Sequence, residues 1–418
     1  MSFESLKRHK FYVFVILAGF ILTLLWIIEA DTRPFSDFQY YYDVALNVAN
    51  GLPWGNTYTS VGYSIVLGGI FKIFGASLMA AKIFNIILAL LNNILFLGIL
   101  HKINLKDAGK KILFAMFVFF PNNIFYTSMV ANELLFTSIL LLITLIYFSS
   151  FKYKYVLIGV LTGVNTMIKP FFIVFFLLIF IVDFFIDKRL LYALKNSLIV
   201  ILLCCIVISP WIYRNTKMIG QFTFVSNNGG IVMYINNNSQ NKYGRWMAAD
   251  DVENSIVKTE EYKNANMTQK NKMLSAAAKQ WIKSHPKEFL QLGIKRLDNT
   301  FFTGDDVGYA LNGTDFSDNA KSLFYNLTNN IRKIIFKPAV LCLALYSVII
   351  LKSIFTLRTD KLNRFNLYTT VLFYMFTSVY FLTEGQGRYA FPMIFIFIYY
   401  FCLLINYIYT KILIEWRK

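Results

Sequence analysis

The chain is divided into long, nearly uncharged apolar runs, and that feature limits its fold more than any other. Runs of about 18 to 25 apolar residues match the hydrocarbon thickness of a bilayer, which only helices or closed barrels can cross with every backbone group satisfied. Ten spans can be placed, at roughly 11–28, 77–100, 112–128, 134–150, 154–168, 171–186, 195–212, 338–356, 366–382 and 390–410. The expected fold class is an all-α polytopic membrane protein of about ten transmembrane helices. Hydrophobic residues make up 57% of the chain and charged ones 15%, a balance foreign to soluble domains.

Charge placement sets the expected orientation. Lys7, Arg8, Lys10, Lys106, Lys110, Lys111, Lys188, Arg189, Arg358 and Arg364 all fall on one side of the alternating spans. The short connections on the other side carry few cations, and by the positive-inside rule both termini are then cytoplasmic. The net charge of +18 follows from this bias and does not call for nucleic acid. A plasma or inner membrane location with an extracytoplasmic site is expected. The first run, 11–28, reads as an uncleaved anchor. Cys204, Cys205, Cys342 and Cys402 lie inside apolar runs and read as packing residues, and the three histidines lack metal-ligand spacing.

Three polar features face the outer side. In the first loop, 29–76, Ser36 and Gln39 have capping-box spacing, which places Asp37 in the first turn of a helix. The apolar segment 63–74 is too short to span comfortably and is expected to lie along the interface. A carboxylate such as Asp37 can serve as a general base, or it can simply favour a helix start. Next, Asn132 could cap a helix whose first turn holds Glu133, an acid that is costly at that depth unless it faces the bundle interior or water. The third feature is the polar segment 213–337. Within it, 268–284 reads as an amphipathic helix and Pro286 opens another through about residue 301. Residues 220–240 suggest turns or short strands, and 303–330 suggest loop. Three domains follow: a membrane module 1–212, a small mixed outer domain 213–337 and a membrane module 338–418.

Charged groups from distant parts of the chain are expected on this outer face: Asp37, Asp43, Glu133, Lys169, Arg214, Lys295, Arg296, Glu384 and Arg388. Cations there suit a lipid phosphate, with arginine giving bidentate geometry, although each alone could equally pair with lipid headgroups. No Walker loop, HExxH, GxSxG or calcium-loop pattern occurs.

Several stretches together resemble the GT-C glycosyltransferases, and family 39 with its protein O-mannosyltransferase and lipid A aminoarabinose transferase relatives most of all. They are Asp37, Tyr41, Ala45 and Gly51; GYSIVLGGIFKIFG at 62–75; Pro121 with Asn132-Glu133; and GVLTGVNTMIKPFF, containing Lys169-Pro170. SPWIYRNTKMIG at 209–220, HPKEFLQLGIKRL at 285–297 and EGQGRYAFPMIFI from Glu384 follow in order. Two departures stand out: Ser60-Val61 replaces Pro-Pro, and Phe38 follows Asp37 where some members have a second acid.

The resemblance implies a GT-C bundle that transfers sugar from a polyprenyl-phosphate donor to a hydroxyl acceptor (glycan, lipid or protein) with inversion. By that analogy Asp37 takes the acceptor proton and Glu133 orients the acceptor or a cation. Lys169, Arg214, Lys295, Arg296 and Arg388 are candidates for the phosphate, with Glu384 and Tyr389 beside the sugar or lipid. No cofactor is indicated, and a divalent ion bridging Glu133 and the phosphate stays an open alternative. A lipid-linked sugar transporter and a lipid-diphosphate polymerase or ligase are the competing readings.

Overall fold

A computed structural model describes residues 3–356 and 358–416, with no side-chain description for 3–9, 361 and 411–416. Every regular element among them is helical. The first half contains α1 (Phe3–Glu29), α2 (Ser36–Ala49), α3 (Gly62–Phe74), α4 (Leu78–Lys102), α5 (Asp107–Val118) and α6 (Pro121–Phe125). After these come α7 (Glu133–Tyr147), α8 (Lys154–Ile168), α9 (Phe175–Asp187) and α10 (Leu190–Ile219). The polar segment forms α11 (Gly229–Asn236), α12 (Glu260–Asn264), α13 (Met267–Ser284), α14 (Pro286–Phe301) and α15 (Val307–Ala310). Helices α16 (Asp318–Phe355), α17 (Arg364–Leu382) and α18 (Ile394–Trp416) close the chain.

Seven helical stretches among the described residues are long and apolar enough to cross a bilayer. Their outward faces carry apolar side chains at helical spacing, as Leu198, Leu202 and Ile206 do on α10 and Leu341, Leu345 and Val348 on α16. Such faces belong against hydrocarbon. Three of the ten expected spans fall outside this set, although α8 forms over the expected 154–168. α7 and α8 have 15 residues each. The run at 112–128 breaks after Val118, and Pro121, which lacks an N–H, starts a separate short helix. α7 is wrapped by protein along nearly its whole length, so its length need not match the bilayer.

Close backbone approach organises the middle of the bundle. Gly159 and Gly163 lie one turn apart on α8 and face α10, where an added Cβ would meet Leu203 Cβ at 2.8 Å and Val207 Cβ at 2.5 Å. Small residues at this spacing are how membrane helices pack without a hydrophobic drive between them. Gly62, at the start of α3, presses on the end of α8; a Cβ there would lie 2.6 Å from the Met167 carbonyl carbon and 2.9 Å from Ile168 N. Backbone cannot yield as a flexible side chain can, so Gly62→Ala should cost about 1–3 kcal/mol. Thermal unfolding in detergent would report it, and an unchanged midpoint would refute the contact.

Every regular element of the polar segment is helical. Residues 229–236, expected as turns or short strands, form α11, which lies on α13. Packing its apolar side decides this: Tyr234 and Ile235 join Leu274 of α13 in one buried cluster. The expected loop at 303–330 becomes helix at Asp318, where Ser317 caps α16 by accepting from Ala320 N. α13 begins one residue before the expected 268 and is secured by a capping box between Asn266 and Gln269. α2 packs on the apolar α3, and α11 packs on α13.

Candidate active site

A cavity of about 470 Å³ lies between α2, α11 and the ends of α7, α8 and α17. Its charged lining comes from four separate places: Asp37 at the start of α2, Glu133 at the start of α7, Lys169 after α8, and Glu384 and Arg388 between α17 and α18. Tyr58, Trp246 and Tyr309 are aromatic residues of its wall.

Asp37 is where the helix-start reading places it, but not for the reason given. Ser36 adopts φ 48°, in the left-handed region, and Phe35 is the N-cap, with no side-chain capping bond. Gln39 donates to Asp43 Oδ1 at 2.8 Å instead of reaching back. Aromatic packing of Phe35 and Phe38 against Tyr309 holds this turn in place. The Asp37 side chain is 51% exposed and accepts a 2.8 Å bond from Arg388 Nη2, itself only 12% exposed. Asp43 is engaged by Gln39 and is not among the residues lining the cavity.

Arg388 also lies against the rings of Phe38 and Tyr389, each 5.4 Å from the guanidinium carbon. Its Nε is buried with no hydrogen-bond partner. Glu133, 2% exposed, forms an ion pair through Oε1 with Lys169 Nζ at 3.5 Å, and its Oε2 has no partner. The positive end of α7 favours that buried carboxylate. Asn132 holds the N-cap position of α7 but makes no side-chain capping bond; its amide donates to Tyr41 Oη at 3.1 Å, joining α2 to α7. Burial lowers the Lys169 pKa, and the Glu133 carboxylate opposes that shift. Among the described residues the ammonium otherwise meets the faces of Phe136 and Tyr389, at 5.7 and 5.6 Å. It therefore keeps donor capacity for an anion. Glu384 accepts from Tyr389 Oη at 2.8 Å and from Gln386 Nε2 at 2.7 Å.

Three expected phosphate ligands do not line the cavity. Arg214 ties α10 to the first loop, donating to Gly55 O and Asn56 O and stacking on Trp211. Lys295 donates to Lys242 O at 2.8 Å on an exposed surface. Arg296 is fully buried and donates to Phe381 O and Asn236 O. Burial also brings its pKa down to about 10. It positions the end of α17, and thereby the Glu384–Arg388 turn, from behind. A sequence shows a cation's identity, not whether backbone carbonyls already occupy it.

Other contributors carry no local signal. Asp306 and Arg332 form a fully buried ion pair at 2.8 Å. Arg332 Nη1 also donates to Gly387 O at 2.9 Å and Thr303 O at 2.8 Å. Asp306 Oδ2 accepts further bonds from Tyr126 Oη at 2.6 Å and Asn122 Nδ2 at 2.7 Å. The backbone immediately before Arg388 is thus anchored to three distant segments. Ser60, at the departure from Pro-Pro, donates to Ile168 O at 2.8 Å and fixes the first loop beside Lys169, a bond proline could not make. Among the described residues, no group of three or more His, Cys, Asp and Glu side chains is placed to hold a metal ion.

This architecture is an all-α polytopic membrane bundle. Crystal structures of the Archaeoglobus fulgidus oligosaccharyltransferase share it. One, tethered by a disulfide to an acceptor peptide containing an NVT sequon, aligns with TM-score 0.52, and the apo form aligns with 0.54, both at 11% identity. Each alignment covers 96% of this chain but only 50% and 51% of those proteins, so the chain spans about half their length. No family model matches the sequence, and no curated protein matches it significantly.

Proposed function

We propose that the protein is a membrane glycosyltransferase that moves a sugar from a polyprenyl-phosphate donor to an acceptor hydroxyl on the extracytoplasmic face. The observation that carries this reading is one cavity in which a half-exposed carboxylate, Asp37, sits beside Arg388, with Lys169 lining the same space. Sharing a fold with an oligosaccharyltransferase, a protein whose name describes glycan transfer and whose structure holds an acceptor peptide, favours transfer over transport.

The chemistry follows from the charges. The donor phosphate approaches Arg388 and Lys169 and competes with Asp37 for the guanidinium. Asp37, released from that ion pair, accepts the proton of the acceptor hydroxyl as its oxygen attacks the anomeric carbon. The bond from that carbon to the phosphate oxygen breaks, its electron pair leaves with the lipid phosphate, and a single displacement inverts the centre. The leaving group needs no proton because the two cations stabilise its growing charge. Glu133 holds Lys169 in position, and Tyr389 and Glu384 form the adjacent wall.

Incubation of the purified protein with a panel of polyprenyl-phosphate sugars and hydroxyl acceptors should release lipid phosphate in step with new glycoside. Movement of an intact lipid-linked sugar across sealed vesicles, with no bond cleaved, would instead establish the transporter reading. Arg388→Gln should lower turnover about 10²–10³-fold, the usual loss for one preorganised donor to a developing oxyanion. Arg388→Lys should recover part of it, because the charge remains while the fork geometry is lost.

A further inference from the structure

At the other end of the bundle lies a second cavity, of about 730 Å³. The same helices connect the two. α7 runs from Glu133 in the first cavity to Tyr147 in the second, and α17 runs from Arg364 in the second towards Glu384 in the first. α8 likewise starts at Lys154 and leads to Lys169. The proposed transfer reaction does not use this second space.

Its lining includes Lys154, Arg189 and Arg364. The acids facing them are Asp187 and, behind it, Asp183. Arg364 contacts both, and Asp183 is further satisfied by Tyr147 and Tyr155 at 2.7 Å and Asn196 at 2.8 Å. Asp360, nearby in sequence, is paired with Lys188 at 3.9 Å. Among the described residues neither Lys154 nor Arg189 has a carboxylate partner. Lys154 Nζ reaches only Tyr147 O at 3.1 Å and the faces of Tyr147 and Tyr155. α10 also begins here without a side-chain cap, which adds the dipole of its first turn to the positive charge. Around the rim, Tyr153, Leu190, Leu191 and Tyr192 are exposed. Aromatic and apolar residues in that setting mark the depth of lipid headgroups, where a soluble anion is not the expected occupant.

We infer that this cavity binds the phosphate of an anionic lipid headgroup from the leaflet at that end, held by Lys154 and Arg189. Such a lipid would brace helices that also carry the first cavity. The test is native mass spectrometry of the full chain with phosphatidylglycerol or phosphatidylcholine in mixed micelles. The wild type should retain one phosphatidylglycerol in preference to phosphatidylcholine. Loss of two cations at a membrane surface should weaken that binding roughly thirtyfold in Lys154→Gln/Arg189→Gln. Arg189→Gln alone, at an exposed position, should shift it in the same direction by about fivefold. Lys102→Gln/Lys106→Gln, which removes exposed cations at the same end but outside the cavity, should leave it unchanged. Equal retention by the Lys154/Arg189 variant, or no lipid preference in the wild type, would overturn the inference. Displacement of the lipid by inorganic phosphate at comparable affinity would overturn the lipid source and indicate a soluble anion.

Discussion

Asp37→Asn is expected to lower glycosyl transfer by about 10²–10⁴-fold, the range for removing a positioned general base from a weak nucleophile. The substitution keeps the size of the side chain at a half-exposed helix start, so membrane abundance and thermal unfolding should stay near wild type. Donor binding supplies the second readout. The neutral amide would compete far less for the Arg388 guanidinium, which the Asp37 carboxylate holds at 2.8 Å. Affinity for the polyprenyl phosphate should therefore hold or rise while turnover collapses. That divergence separates a lost base from a disrupted pocket. Near-normal transfer at equal abundance would remove Asp37 from the mechanism, and a parallel fall in binding and turnover would recast it as a structural partner of Arg388.

Arg332→Leu should be the most destabilising of the substitutions considered. It leaves Asp306 fully buried without its cation, and breaking a buried pair on one side costs about 3–5 kcal/mol. Tyr126 and Asn122 would still donate to the carboxylate, which places the expected loss towards the lower part of that range. Arg332→Leu/Asp306→Leu should recover much of the stability, since removing both charges removes the uncompensated one. It should not recover turnover, because the bond from Arg332 to Gly387 O that fixes the backbone beside Arg388 is still missing. Detergent unfolding curves for both variants, with donor KM measured separately from kcat, would test this. Full recovery of transfer in the double variant would show that the buried pair stabilises the fold without positioning the site.

The parts legible in the sequence were those in which one segment decides the outcome alone. The bounds of α3 and α14 and the amphipathic α13 follow from apolar spacing and proline placement. Asp37, Glu133, Lys169, Glu384, Arg388 and Tyr389 were recognisable as charges or aromatics at the ends of apolar runs, and all six line one cavity. Local capping chemistry was less dependable: Ser36 and Asn132 have capping residue types, yet packing of Phe35 and a bond to Tyr41 displace both capping bonds. The segment at 229–236 shows the same competition, since β-branched content was overridden by contact with α13.

By itself, then, the sequence determined a helical membrane bundle and marked the charges at the ends of its apolar runs that share the first cavity. Both follow from the free energy of placing apolar runs and ions relative to a bilayer, which each segment meets on its own account. Only the tertiary structure decided which cations remain available. Arg296 and Arg214 are occupied by carbonyls contributed from remote segments, and Arg332 with Asp306 has no local mark at all. Hydrogen-bond satisfaction of a buried guanidinium depends on groups far apart along the chain, so it is a property of the assembled fold and not of any stretch within it.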